Sequence, residues 1–504
     1  MNHLLLVFKF SDSRFSIIEM CLQKLSLFAL ICFTSLILPV QAEDLPIKNF
    51  PALDVQIKNH VKNQSAKILA GPMLGYAEHK EVLIWLQTEC VSHIEIKYKE
   101  KSHAESQVAK SSLRDLSIHD YLENDRGCKP IISKITIPNL KPNTQYQYQI
   151  YVNGKLQKFD YPLTFKTKSV TNSSENLPEL KFLVGSCTYI NENGYENPHE
   201  KPYGQGTEIF RYMANQKADF MLWLGDNVYL RPADYSSESG IAHRYQYNRS
   251  EPNLQHFWSS MNHYAIWDDH DFGSNDSSRT YDLKEITYKN FREYWGNKVY
   301  GENNQGIYSK FSYADADFFL LDDRFFRSDY KTNEVFNPNK TQLGIQQINW
   351  LKDSLISSKA TFKFIAVGGQ FLNEYTDKES YNYFKAERED LLKFLVDNKI
   401  KGVLFLTGDR HHTELLKKEV IHGDQKQIFY DLTASPLASK PNYPVLSSSE
   451  KDNSMRVQST LLVEPNFCKL SLSGNIGERK LNIECFDKVS VLKWSHIIPE
   501  QELE

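Results

Sequence analysis

The sequence predicts an α/β chain with an all-β module ahead of it, and two observations set that expectation. From about Ile68 to Lys168 apolar and polar residues alternate, as in Ile94-Glu95-Ile96-Lys97-Tyr98 and Tyr146-Gln147-Tyr148-Gln149-Ile150, the period of strands buried on one face. After a polar, breaker-rich stretch from Ser169 to Pro178, short wholly apolar runs take turns with amphipathic helical stretches. That is the pattern of strands buried on both faces between helices. With 504 residues, 41% of them apolar, the chain can bury a large core and is expected to hold more than one domain.

Taken in order, Lys24 precedes the apolar run Leu25 to Leu38, and Pro39-Val40-Gln41-Ala42 gives a small-residue cleavage pattern before Glu43. Residues 1–42 are therefore expected to be a signal peptide, with export to the periplasm or beyond. The residues before Met20 fit that pattern poorly, so Met20 is an alternative start; retention as an uncleaved anchor is the alternative fate. Cys32 follows the bulky Ile31 and makes a weak lipid-attachment site. No later run approaches the roughly 20 apolar residues of a membrane span.

Residues 43–65 read as an N-terminal extension, 66–168 as the β-sandwich, 169–178 as a linker, 179–490 as the α/β domain and 491–504 as a C-terminal tail. Within the sandwich, Leu140-Lys141-Pro142-Asn143-Thr144-Gln145-Tyr146-Gln147-Tyr148 resembles the corner of fibronectin type III modules, where a tyrosine hydroxyl ties a strand back to its preceding loop. Beyond the leader the cysteines are Cys90, Cys128, Cys187, Cys468 and Cys485, an odd number in a compartment where disulfides persist. Cys90 with Cys128 and Cys468 with Cys485 are plausible pairs, which leaves Cys187 free. The net charge of −4 offers no basic surplus for nucleic acid, and no feature sets an oligomeric state.

In the α/β part, helices are expected over Thr207 to Gln216, Asp282 to Trp295, Thr341 to Ser357 and Glu387 to Asn398. The buried strands are expected at Phe182-Leu183-Val184, Phe220 to Leu224, Tyr264 to Trp267, Phe318 to Leu321, Phe364 to Val367 and Val403 to Leu406. Short strands around Leu461 to Val463, Lys469 to Leu472 and Leu481 to Phe486 close the chain.

The residues directly after each run carry the chemistry: Gly-Ser-Cys187, Gly-Asp226-Asn227-Val-Tyr229, Asp268-Asp269-His270-Asp271, Asp322-Asp323-Arg324, Gly-Gly-Gln370 and Gly-Asp409-Arg410-His411-His412. The carboxyl ends of parallel strands share one edge, so these groups should converge. Carboxylates gathered in a low-dielectric place repel one another unless cations neutralise them. Asp226, Asp269, Asp409 and His411 offer the oxygen and nitrogen ligands of a two-metal site, and His270 is placed to protonate a leaving group. Taken singly, each has a plainer reading: a lone buried cysteine is usually a small hydrophobe, Gly-Asp226 could be a turn or helix cap, and Asp322-Asp323-Arg324 could be a structural ion pair.

Together, Gly-Ser-Cys187, Leu-Gly-Asp226-Asn-Val-Tyr229, Trp267-Asp-Asp-His-Asp271, Leu-Asp322-Asp-Arg324-Phe-Phe-Arg327 and Leu-Thr-Gly-Asp409-Arg-His411 resemble the PhoD-like family of alkaline phosphatases and phosphodiesterases, over residues 66 to about 490. The resemblance implies a metallophosphoesterase two-sheet α/β sandwich behind the β-sandwich module, iron(III) and calcium as cofactors, and a phosphate ester as substrate. Position by position it implies Asp226 as bridging carboxylate, Tyr229 as tyrosinate ligand of the iron and Cys187 as thiolate ligand. Asp269 and His270 match the Asn and His of the wider superfamily's Gly-Asn-His-Asp motif, and Asp409 and His411 its Gly-His-x-His. Gln370 falls where that superfamily usually has a metal-binding histidine. Asn227, Asn275 and Arg324 are placed on the substrate, with Arg324 also assisting catalysis. A thiolate and a phenolate suit a ferric ion, carboxylate oxygens suit calcium. Many members end in a helical lid, whereas here the chain after about Thr460 reads as strand. His412, next to His411, is expected behind the site or on the surface.

The reaction expected is attack of a metal-bound hydroxide without a covalent enzyme intermediate, since no activated serine lies near the motifs. Phospholipids or cell-wall polymers are alternative diester substrates. A non-enzymatic surface or adhesion protein is the rival from another class.

Overall fold

The computed structural model describes residues 67–504, apart from 91, 102–105, 111–115, 119–127, 171–176, 196–201, 330–338, 376–378, 443–445 and 447. The expected leader and N-terminal extension lie outside the described residues, as does most of the expected linker.

All six expected buried runs form strands. Leu180–Gly185, Phe220–Leu224 and Asn262–Ile266 lie side by side and parallel, and Ala316–Leu320, Phe362–Ala366 and Val403–Thr407 do the same in a second sheet. The two sheets face each other through aromatic side chains. Phe182 meets Phe318 and Phe364 edge-on at 5.1 and 5.2 Å between ring centroids, and Phe220 meets Phe318 at 5.2 Å. On the outer face of the second sheet, Phe319, Ile365 and Phe405 pack with Leu351 and Leu391 from helices Ile345–Ser357 and Lys385–Asp397. Burial on both faces explains why these strands are continuous apolar runs.

The N-terminal strands do pack as two facing layers. Leu74, Val82 and Ile84 cover Ile94, Ile96, Tyr148 and Ile150. The Lys141 N–H donates to the Tyr146 hydroxyl at 2.9 Å, the corner tie that the sequence resemblance implies.

One of these layers is nevertheless part of the α/β sheet. Ile68–Ala77 pairs in parallel with Asn262–Ile266, so a single ten-stranded sheet runs from Leu492–Pro499 at one edge to Leu116–Ile118 at the other. Asn262 donates its side-chain amide to the Gly75 carbonyl at 2.6 Å, and the Trp85 indole N–H donates to the Glu293 carbonyl at 2.8 Å.

The chain end departs from expectation. Residues 492–499 are an edge strand rather than a tail, paired to Lys480–Asp487 with Leu481 opposite Ile498, both fully buried. Leu461 to Val463 is not a strand; Leu462 makes a single bridge to Thr413. The helices Glu238–Arg249 and Pro252–Ser260 were not expected. The first buries Arg244 and Arg249 beside Ile241 and Tyr245, which erases the polar-apolar contrast that marks a helix in sequence. Disulfides join Cys90 to Cys128 and Cys468 to Cys485, and Cys187 is free and buried.

Candidate metal-binding active site

Three strands of the parallel core, Leu180–Gly185, Phe220–Leu224 and Val403–Thr407, end in sharp turns that bring donor atoms inward. Cys187, Asp226, Asp409 and His411 all have left-handed backbone, with φ of 63°, 52°, 64° and 51°. Non-glycine residues adopt that region at a cost of about 1 kcal/mol or more, and such strain concentrates at functional sites. The turns are locked to one another: the Cys187 N–H donates to the Gly225 carbonyl at 3.2 Å, and the Thr188 N–H to the Asp226 carbonyl at 2.8 Å. Gly225 has φ +92°, and a Cβ there would sit 2.6 Å from the Asp268 Cβ. Only glycine allows the two strand ends to approach so closely.

The donors converge on Asp226. Its Oδ2 lies 3.6 Å from Cys187 Sγ and 3.0 Å from the Tyr229 hydroxyl, and that hydroxyl lies 2.9 Å from His411 Nε2. Its Oδ1 accepts the His270 N–H at 3.2 Å. His411 Nδ1 lies 2.5 Å from the Lys440 carbonyl, which can only accept. That ring nitrogen therefore carries the hydrogen, and Nε2 turns a bare lone pair towards the cluster, the arrangement of a ligating imidazole. The His270 ring stacks on Tyr229 at 4.3 Å, and its buried Nδ1 has no hydrogen-bond partner among the described residues. Among the described residues, donor atoms of Cys187, Asp226 and His411 lie within 4.8 Å of one another, as do those of Asp226, Asp269 and His270, and of Asp269, Asp276 and Glu379.

These groups are electrostatically uncomfortable by themselves. Burial pushes the Cys187 thiol up to about 12. It raises Asp226 well above the carboxylate range, with Asp269 and Cys187 adding to the effect, and lifts Tyr229 likewise. Asp409 is raised to about 7, again by burial first. Burial lowers His411 to about 3 and keeps it neutral. A dry pocket that disfavours the anions of Cys187, Asp226, Tyr229 and Asp409 is one that a cation would stabilise. Thiol, phenol, carboxylate and neutral imidazole around one point form a fitting donor set for a metal ion.

Several expected site residues are engaged by other partners. Arg324, placed on the substrate from sequence, is 1% exposed and closed in by acids. Its Nε donates to Asp268 Oδ1 at 2.6 Å, and its Nη1 lies 2.8 Å from Glu379. It is a buried ion-pair hub, the plainer of its two readings. Asn227, also placed on the substrate, is buried with its amide on the Ile266 carbonyl at 2.7 Å and its N–H on Asp271 at 3.1 Å, so it braces the loop from behind. Asp409 brings its carbonyl, not its carboxylate, to Cys187 at 3.7 Å, and the carboxylate lies 3.4 Å from Arg410. Asn275 is exposed on the loop beside Asp276.

Gln370 has no bond to spare, since its amide donates to Glu414 and Thr433 at 2.9 and 2.8 Å and its oxygen accepts from Asn373 and Tyr375, both at 2.7 Å. His412 is fully buried beside Glu414 at 3.3 Å, behind the site and away from the surface.

Two further residues border the site without a motif to mark them. Ser435 donates to Cys187 Sγ at 3.1 Å and accepts the His411 N–H at 3.0 Å. Glu379 joins Asp269 and Asp276; burial would raise its carboxyl, but Arg324 and Arg327 outweigh that and hold it below its usual range. Ser435 follows the buried strand Gln425–Thr433 much as Cys187 and Asp226 follow theirs, but Gln427 and Asp431 interrupt the apolar run of that strand, and Glu379 directly follows no strand.

Residues 182–476 match the model of the PhoD-like phosphatase family. The chain belongs to that family. Alkaline phosphatase D of Bacillus subtilis (strain 168) is 25% identical over 318 residues, 54% of this chain and 52% of that protein; the aligned part thus spans about half the length of this curated relative. A solved structure of PhoD superposes with a TM-score of 0.66 over 86% of this PhoD-like chain and 88% of its own, at 18% identity. A purple acid phosphatase from yellow lupin (Lupinus luteus) does so with a TM-score of 0.59 over 85% and 74%, at 11% identity. The fold is the two-sheet α/β sandwich of these metallophosphoesterases.

Proposed function

We propose that this PhoD-like protein is an exported, metal-dependent hydrolase of phosphate monoesters, diesters or both. The observation that carries the reading is the place of Asp226. One of its oxygens faces Cys187 and Tyr229, and the other faces the His270 backbone beside Asp269. A carboxylate common to two donor groups is what a two-ion site requires. Cys187, Tyr229, Asp226 and His411 would hold iron(III), and Asp226 with Asp269 would hold calcium, following the preference of soft and phenolate donors for the former and carboxylates for the latter. Bound there, the ions would supply Lewis acidity towards a phosphoryl oxygen and acidify a water until it serves as nucleophile.

The chain's own residues do the rest. His411 is held neutral and aimed by the Lys440 carbonyl. His270, with an unpartnered Nδ1 and its ring fixed against Tyr229, is the group to pass a proton to the leaving oxygen. Asp409 closes the turn that carries His411, and the Arg324 ion pairs hold Asp268 and Glu379 in place.

Turnover of aryl phosphate mono- and diesters by the purified protein, before and after complete chelation, tests the reading. Loss of activity on chelation and recovery with metal are expected. Activity that survives removal of all metal rejects it.

A further inference from the structure

Among the described residues, Tyr203 is the tyrosine ring that both borders the donor cluster and stays substantially open to solvent, at 38%. Its hydroxyl lies 3.4 Å from His411 Nδ1, and its ring centroid lies 5.8 Å from His411 and 6.2 Å from Tyr229. Tyr189 stands behind it, edge to face at 4.8 Å. Tyr189 is itself pinned, for Arg231 Nε donates to its hydroxyl at 2.8 Å and the Arg231 guanidinium lies 4.4 Å over its ring.

The exposed ring is not needed to hold its own loop. The next residue does that: Gly204 exchanges two hydrogen bonds with the Asn191 side chain, both at 3.0 Å, and bridges to Ser439. A Cβ on Gly204 would come within 2.6 Å of the Tyr189 carbonyl. The Gln205 N–H adds a bond to the Ala438 carbonyl at 2.7 Å. A tyrosine that keeps 38% of its surface open, on backbone fixed by other groups, is preorganised for a ligand.

We infer that Tyr203 determines leaving-group specificity, its ring, backed by Tyr189, being the surface on which a planar aryl or nucleobase portion of a phosphate ester stacks. The inference rests on the phosphoesterase reading above and adds to it a substrate class: esters whose alcohol carries a flat π-system a short reach from the phosphoryl group. Stacking contributes through the ring face and is indifferent to the hydroxyl.

The test compares kcat/KM for 4-nitrophenyl phosphate and glycerol phosphate in the metal-loaded wild type, Tyr203→Leu and Tyr203→Phe, with circular dichroism confirming that each variant is folded. Comparing the ratio of the two values between variants cancels the different reactivities of the esters. For Tyr203→Leu this ratio is expected to fall about tenfold, carried by KM for the aryl ester, whereas Tyr203→Phe keeps it. Calorimetry with phenylphosphonate and methylphosphonate gives a readout free of turnover: the wild type should prefer the phenyl compound and Tyr203→Leu should lose that preference. An unchanged ratio in Tyr203→Leu, or an equal loss in Tyr203→Phe, overturns the stacking role and leaves the phosphoesterase reading standing. A loaded wild type that hydrolyses neither ester, binds neither phosphonate and leaves bis(4-nitrophenyl) phosphate intact overturns both.

Discussion

Ser435 touches no expected substrate, yet its hydroxyl joins two donor-bearing turns, giving a hydrogen bond to Cys187 Sγ and taking one from the His411 N–H. Partners that orient metal ligands typically matter 10–100-fold in metal affinity. Ser435→Ala should therefore fold normally and retain roughly tenfold less metal at limiting supply, as elemental analysis after dialysis would report. Arg324 behaves differently because its guanidinium is buried between Asp268 and Glu379. Arg324→Met leaves Asp268 unpaired and Glu379 with Arg327 alone, and breaking a buried pair costs about 3–5 kcal/mol; a lowered urea midpoint is expected whether or not metal is present. At this scale the sequence disclosed residues that directly follow an apolar strand, such as Cys187 and Asp226. It hid Ser435, just past the end of the strand Gln425–Thr433 whose apolar run Asp431 breaks, and Glu379, which lies on a loop. It also misplaced Arg324, because a motif shows that a charge is near a site without showing which acids already claim it.

The strand Asn262–Ile266 illustrates how one element supports the site from beneath. His263 within it is fully buried, accepting from the Trp223 indole at 3.1 Å, while its Nε2 lies 3.0 Å from the Phe257 carbonyl. Burial lowers it from 6.5 to about 3. The folded form therefore binds no proton between those values while the unfolded form does, so its contribution is complete above pH 6.5 and is lost as the pH falls towards 3. Urea denaturation at pH 7 and pH 4.5 should show His263→Gln with the shallower acid loss, by up to about 1.4 kcal/mol per pH unit. An equal slope in both proteins would refute the assignment. A second element-level case is Gly225→Ala: the left-handed backbone and the 2.6 Å approach to Asp268 leave the added methyl no room, and a destabilisation of about 1–3 kcal/mol is expected in thermal unfolding. Strands of this kind were legible in the sequence because burial on both faces leaves nothing but apolar residues. The helix Glu238–Arg249 was not, since it inserts arginines among aromatic rings, with Arg249 4.2 Å from the Trp295 ring.

For the molecule as a whole, the expected break at residues 169–178 does not separate independent bodies, because Ile68–Ala77 completes the sheet that carries Asp226 and Asp269. A chain beginning at residue 179 would bare the edge of Asn262–Ile266 and lose the Trp85 and Gly75 ties. Such an open edge invites aggregation, and light scattering of that shortened chain should reveal it. The change of sequence period marked a change in how strands are covered, and it was silent about which strands pair.

The left-handed turns bear on the order of events during maturation. Cys187 and His411 stand far apart in sequence and meet only when two separate sheets have closed on each other, so an unfolded chain has no ready-made chelate to offer. Ion capture should come last, as a late step onto a finished scaffold. Refolding in the presence of a strong chelator should then reach native secondary structure, and metal supplied afterwards should enter without renewed unfolding.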